Sequence, residues 1–167
     1  KRTGDMITLQ EVIEEIGVDA LRYILVSKKH SQTIDFDLEK VKEQNKENPV
    51  FYIQYAFARI NSIFKNLKDI EFNLNPNLDA LLPYEKDLLI LALQLKDEIQ
   101  TAALQLDPSK LANYLFELAV AFHGFYEKSR VLDQGKVIAY RVIIIKAVAL
   151  ALKKGLNLLG MDSPEKM

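Results

Sequence analysis

The sequence predicts an all-α protein, and three observations lead to this fold class. Apolar side chains recur at steps of three and four residues over four long segments, which is the period of an amphipathic helix. The one strand-like stretch, residues 33–36, is too short to build a sheet. Segments with Asn, Pro or Gly separate the helical stretches. We therefore expect an antiparallel helix bundle preceded by a small helical connector.

Residues 1–47 are expected to form the connector, together with the end of a preceding domain. Thr8 and Glu11 have the spacing of a capping box, and Gly17 is placed to end the helix that they begin. Asp19 is positioned to cap a second helix. Three helices are expected here, at residues 8–16, 19–29 and 37–46. The second helix is expected to turn three residues inward: Leu21, Ile24 and Leu25.

Residues 48–167 are expected to form the bundle. Its first helix has Asn48 as N-cap and Pro49 as first residue, where a missing N–H costs nothing. The four helices are expected at 49–69, at 84–106, between an Asp107–Pro108 cap and a loop at 129–136, and at 137–159, with Gly160 closing the last. Because this last helix is apolar on most sides, we expect it to be central or packed on two neighbours.

The helix from Pro49 carries two different faces. One face is a core stripe: Ile53, Phe57, Ile60, Phe64 and Leu67. The opposite face has its own stripe: Tyr52, Tyr55, Arg59, Ser62 and Asn66. Two phenol rings one turn apart, with a guanidinium one turn further on, can stack bases and hold a phosphate. The alternative is that a second helix covers the tyrosines.

The third bundle helix carries a second candidate surface beside its core stripe. The core stripe is Leu111, Leu115, Leu118, Phe122 and Phe125. The neighbouring stripe is Ala112, Phe116, Ala119, His123 and Tyr126. In the simpler interpretation Phe116 and the alanines fill a helix–helix contact and His123 is a partly exposed polar residue.

Composition excludes several function classes. The chain has no cysteine, which removes disulfides and thiolate metal sites and favours a reducing compartment. The longest apolar run, 142–152, contains Lys146 and is too short to span a bilayer. Net charge is −1, yet residues 127–154 hold seven Lys and Arg against two Asp and Glu. This local excess is compatible with RNA binding without being diagnostic.

No catalytic or metal-binding constellation is recognisable. The two histidines, His30 and His123, are far apart in sequence, and no cysteine accompanies them. The DFD triplet at 35–37 is better explained as an N-cap than as a carboxylate pair. The six glycines form no phosphate-binding loop.

Five segments together resemble the C-terminal part of arginyl-tRNA synthetases, which contains the DALR anticodon-binding domain. NPVFYIQYAFARI at 48–60 resembles the opening helix of that domain, and GVDALRY at 17–23 and TIDFDLE at 33–39 resemble the run before it. LNLLGMDSPEKM at 156–167 is similar to the family's ending. KRTGD at 1–5 resembles the end of the flexible lysine signature of class I synthetases. The chain is therefore expected to be a piece of a longer enzyme, with the catalytic part ending in the connector.

The resemblance implies a function, partners and a set of site residues. The intact enzyme would ligate arginine to tRNA-Arg using ATP and Mg²⁺, while this piece alone would be non-catalytic and hold no cofactor. Lys1 would contact the ATP phosphates. Anticodon-loop RNA would bind Tyr52, Tyr55, Arg59, Phe122, His123, Tyr126 and Met167. We also expect a cytoplasmic, monomeric protein without membrane contact. The alternatives are the related domain of another class I synthetase, or a helical protein-interaction module that binds no RNA.

Overall fold

The computed structural model describes residues 8–29, 31–34, 38–43, 45, 47–68, 70 and 77–167. Most of this part of the chain is helical, which confirms the predicted all-α fold class. Its α-helices are α1 (Leu9–Ile16), α2 (Val18–Val26), α3 (Leu38–Lys42), α4 (Pro49–Leu67), α5 (Pro83–Leu93), α6 (Leu95–Leu104), α7 (Ser109–Lys128) and α8 (Ala139–Leu158). A single 3₁₀ turn, Leu78–Ala80, precedes α5.

Helix α8 lies at the centre of the bundle and packs against α4, α5 and α7. Helix α7 contacts both α4 and α8, and it also packs against α2, α5 and α6. The largest fully buried apolar side chains come from all the long helices: Ile53, Ile60, Leu88, Leu115, Leu118, Phe122, Phe125, Ile144, Ile145, Leu152 and Leu156. The core stripe predicted for α7 is therefore confirmed, and so is that of α4 except for Phe64, which is only partly buried. Helix α8, which was expected to be central or packed on two neighbours, packs on three helices.

Helix α1 begins and ends as the sequence indicated, whereas α2 does not. Thr8 and Glu11 form the predicted capping box, and Gly17, with φ +83°, ends α1. The predicted N-cap at Asp19 is wrong, because Gly17 also precedes α2 directly and leaves Asp19 within the first turn. Helix α2 ends at Val26, three residues earlier than expected.

The inward face of α2 also differs from the prediction. Leu21 is buried, whereas Leu25 is 46% exposed. Tyr23 is buried instead, because α2 packs on both α4 and α7 and the Tyr23 hydroxyl donates to the Ala112 carbonyl of α7 at 3.3 Å. Burial raises the pKa of Tyr23. A satisfied phenol can enter the core where an apolar side chain had been expected.

The helix predicted at 84–106 is two helices, α5 and α6, which meet at Gln94. The Tyr114 hydroxyl of α7 donates to the Leu91 carbonyl at 2.9 Å. A continuous helix would offer that carbonyl to the N–H of residue 95. A side chain inserted into the backbone ladder is a recognised cause of helix breaks. Leu106 is the last apolar residue at core spacing in the helix predicted at 84–106, but it is 88% exposed and has φ +51°, so a core position for it is wrong.

The loop expected at 129–136 contains a short antiparallel hairpin. Strands Leu132–Asp133 and Lys136–Val137 pair across a two-residue turn. Both turn residues, Gln134 and Gly135, have positive φ, as a type I′ turn requires. The hairpin ends where α8 begins, so it holds the α7–α8 connection in one conformation.

Several predictions fall outside the described residues: Lys1, His30, the DFD triplet at 35–37 and part of the loop at 72–83. Thr33 and Ile34 are described and belong to no strand. The charged helix expected at 37–46 is shorter, with α3 covering Leu38–Lys42. The domain boundary expected between residues 47 and 48 stays a prediction. Among the described helices, none combines the length and the apolar character needed to cross a membrane.

Candidate nucleic-acid interface

Helix α4 presents the candidate side chains because its N-terminus is fixed. The Asn48 side chain accepts a hydrogen bond from the Phe51 N–H at 3.2 Å, and Pro49 occupies the first turn, as predicted. With Ile53 and Phe57 buried in the core, the helix period turns the opposite stripe toward α7 and solvent. The cap therefore fixes where α4 begins, and the buried stripe fixes the rotation of the face that carries the tyrosines.

Arg59 is the centre of this face. Its guanidinium carbon lies 4.5 Å from the ring centroid of Tyr55 and 4.4 Å from that of Tyr126 on α7. The Arg59 Nη2 also donates to the Tyr55 hydroxyl at 2.7 Å. A cation placed between two aromatic faces is attracted to both rings and is held in one orientation. Arg59 thus joins α4 to α7 at the rim of the bundle.

His123 lies beneath Arg59 and is buried, with 6% of its surface exposed. Its Nδ1 lies 3.4 Å from Arg59 Nη1, and its Nε2 lies 3.2 Å from the Tyr52 carbonyl oxygen. Since a guanidinium can only donate, we assign Nδ1 as the acceptor and Nε2–H as the donor. Burial, with a smaller contribution from the Arg59 cation, lowers the pKa of His123. The neutral imidazole therefore supports Arg59 from below.

Tyr52 and Tyr55 differ in how helix α7 contacts them. Tyr52 packs on His123 (ring centroids 4.2 Å apart) and on Phe116 (6.0 Å), both from α7. Burial, together with the Glu127 carboxylate, raises the pKa of Tyr52. Helix α7 thus covers part of Tyr52. Tyr52 and Tyr55 are nevertheless both half-buried and both line one open groove, so the RNA contacts expected of them stay predictions.

The α7 candidates divide in the same way. Phe122 is fully buried, so the direct RNA contact expected for it does not fit the structure. Its ring centroid is 5.6 Å from His123 and 6.1 Å from Tyr126, which makes it a support for both. Tyr126 is 41% exposed and offers ring surface to solvent. His123, as described above, is covered by its partners and acts through Arg59.

The chain's last residues reach the same face. Glu165, Lys166 and Met167 line an open groove of about 480 Å³ together with Tyr55, Arg59 and Tyr126. Met167 is 53% exposed. The structure therefore brings Met167 to the predicted site, although it is far from α4 in sequence.

Two further grooves adjoin the first, and Arg59 lines all three. One, of about 510 Å³, includes Phe51, whose ring stacks on Tyr55 at 5.8 Å and 10°. The other, of about 610 Å³, includes Arg130 and Leu132 from the α7–α8 connection. Phe51 and Arg130 were not predicted from the sequence to line the site. The four-residue spacing from Phe51 to Tyr55 was a signal for the first, whereas the position of Arg130 depends on the hairpin.

The charge around the grooves is mixed. Lys65, Lys166 and Arg59 line the first groove together with one acidic side chain, that of Glu165. Glu127 lines the second and third grooves, and Glu47 also lines the second. Aromatic surface with scattered cations suits a flexible, single-stranded anion better than a rigid duplex, which a uniformly basic surface would match.

The chain is similar to known proteins over its whole length. The sequence model of the DALR anticodon binding domain matches residues 53–167. Arginine–tRNA ligases of Geotalea daltonii and Carboxydothermus hydrogenoformans are 42% and 44% identical to it, and each match covers 100% of this chain and 31% of the relative. The arginyl-tRNA synthetase structure of Thermus thermophilus superposes with a TM-score of 0.77 at 26% identity, over 100% of this chain and 29% of that one. The chain therefore belongs to the DALR anticodon-binding domain family.

Proposed function

We propose that this chain is the C-terminal, anticodon-binding portion of an arginyl-tRNA synthetase, the enzyme that ligates arginine to tRNA-Arg with ATP. The chain spans about 31% of the length of the arginine–tRNA ligases that it matches. The observation that carries the RNA-binding role is the Arg59 guanidinium held between Tyr55 and Tyr126 in a groove that also contains Met167. This arrangement combines ring surface, a fixed cation and a soft thioether within one open site.

Each part of the groove has a distinct task in this proposal. An unstacked anticodon base would lie on the exposed face of Tyr126, since every base offers a π-face to an aromatic ring. Arg59, already oriented by two rings and the Tyr55 hydroxyl, would hold a phosphate or a base edge without further ordering. The Met167 thioether would adapt to the far side of a base.

ATP and Mg²⁺ belong to the intact enzyme in this proposal. Among the described residues there is no group of three or more His, Asp or Glu side chains that could hold a metal ion. Lys1, the proposed phosphate contact, lies outside them. Because the chain spans about 31% of the ligases that it matches, we expect the isolated chain to show no ATP–pyrophosphate exchange even with arginine and tRNA added. A cytoplasmic location, a monomeric state and the absence of membrane contact are part of the same proposal.

The test is binding of the 167-residue chain to a fluorescent tRNA-Arg anticodon stem-loop at low salt. Tyr126→Ala and Tyr55→Ala should each weaken binding about 5- to 150-fold if each ring stacks on a base. Tyr140→Ala is the matched control, because Tyr140 is also half-buried but lines none of the three grooves. Circular dichroism should show unchanged helix content in all three variants.

Two further measurements separate RNA binding from the rival role as a protein-interaction module. Affinity should fall with salt, with a log–log slope of about −0.7 per single-strand phosphate contact, and Arg59→Ala should make the slope shallower. A stem-loop with a scrambled anticodon should bind less tightly. Equal affinity for any RNA, or no binding at low salt, would favour the rival.

A further inference from the structure

We infer that Asp19 and Arg22 of α2 are positioning residues that hold the C-terminal tail, residues 161–167, against the groove. The inference rests on the proposed function, since it gives a task in RNA binding to residues that touch no RNA. Its basis is a set of contacts between α2 and backbone atoms at the end of the chain.

Arg22 holds the point where the tail leaves α8. Its Nη1 donates to the Gly160 carbonyl at 2.7 Å. Gly160 has φ +72°, which ends the helix, and the Met161 N–H returns to the Leu156 carbonyl at 2.9 Å. The side chain of Met161 is only 2% exposed and anchors the turn in the core. The direction in which the tail departs is therefore fixed by both α8 and α2.

Asp19 holds the next turn of the tail. Its Oδ2 accepts a hydrogen bond from the Asp162 N–H at 3.0 Å and another from the Gln54 Nε2 of α4 at 2.7 Å. The same Gln54 Nε2 donates to the Asp162 carbonyl at 2.9 Å. Both backbone polar groups of Asp162 are thus bound by side chains from α2 and α4. We call the three residues that make these contacts, Asp19, Arg22 and Gln54, the tail clamp.

The tail clamp lies directly before the groove-lining part of the tail. Beyond Asp162, five residues lead to Met167, and the last three line the groove. Gln54 belongs to α4, which carries Tyr55 and Arg59, so the clamp connects the tail to the helix that bears the site. Such a short segment without helical structure would otherwise sample many conformations. Fixing its root lowers the entropy that Met167 loses on contact with RNA.

Two readouts test the inference, one without RNA and one with it. The chain has three methionines, Met6, Met161 and Met167, so ¹³C-methyl labelling gives few NMR signals to resolve. Asp19→Ala should narrow the Met167 methyl line while leaving the buried Met161 line broad. Asp19→Asn keeps one acceptor oxygen, so the Met167 methyl line of this variant should stay nearly as broad as in the wild type. Lys28→Ala removes an exposed charge just beyond α2 and should change neither line.

The RNA readout is a double-mutant cycle with the tail itself. Removing residues 165–167 should weaken binding of the anticodon stem-loop roughly 2- to 12-fold, the range for a methionine–aromatic contact. Asp19→Ala and Arg22→Ala should approach the same loss, and neither should add to it in the truncated chain. Tyr126→Ala should weaken binding of the truncated chain further.

The failures are distinguishable. The tail clamp would be overturned if the fold-losses in RNA affinity from Asp19→Ala and from truncation multiply. An unchanged Met167 methyl line in Asp19→Ala would also overturn it. Either result would leave the proposed function intact. If Tyr126→Ala has no effect on RNA affinity, the proposed function fails. The methyl lines, measured without RNA, would then decide the position of the tail on their own.

Discussion

Gly155 of α8 lies where the bundle leaves no space for a side chain. A Cβ at this position would come within 2.4 Å of the Leu115 Cδ2 and 3.0 Å of its Cδ1. Leu115 of α7 is fully buried, and so are Leu152 and Leu156, which lie beside Gly155 on α8. The Leu115 side chain therefore has little room to move. Overpacking of a core typically costs about 1–3 kcal/mol. Alanine gains roughly 1 kcal/mol over glycine in a helix interior.

Gly155→Ala should therefore lower the free energy of unfolding by about 1–2 kcal/mol, the upper part of that balance, because the contact is so short. Gly124→Ala is the matched control, since Gly124 lies within α7 and a Cβ there meets nothing within 4 Å. This variant should gain about 1 kcal/mol. Urea unfolding followed by circular dichroism measures both, and for a chain of this size 1 kcal/mol moves Tm by about 2–4 °C. Gly155→Ala as stable as Gly124→Ala would refute the packing argument.

Three further predictions concern buried polar contacts. Glu85 is fully buried and pairs with the Arg141 Nε at 2.7 Å, so Glu85→Ala should cost about 3–5 kcal/mol in urea unfolding, whereas an unchanged midpoint would contradict the pairing. Tyr114→Phe removes the hydroxyl that meets the α5–α6 break and should cost about 1 kcal/mol. The lowered pKa of His123 means that the unfolded chain binds the proton more readily. Stability should be complete above about pH 6.5 and fall as the pH drops through the lowered pKa. His123→Gln should flatten that part of the pH profile.

The sequence by itself determined the features that depend on a single helix. The Asn48 cap, the Pro49 start and the apolar stripe of α4 follow from local hydrogen bonding and the 3.6-residue period, and the structure has all three. The core stripe of α7 was readable for the same reason. The aromatic and cationic face of α4 was therefore known as a face, with Tyr55 and Arg59 on it, before its surroundings were.

Only the tertiary structure decided what lies opposite each face. Tyr52 is partly covered because α7 packs there, and Phe122 is fully buried although its neighbour Tyr126 is exposed. The helix break at Gln94 depends on a hydroxyl from another helix, and Met167 joins the groove through the tail clamp. Periodicity records which side chains share a face, whereas burial and hydrogen-bond partners depend on the helix that packs against it. That neighbour is chosen by contacts between residues distant in sequence, which no local pattern encodes.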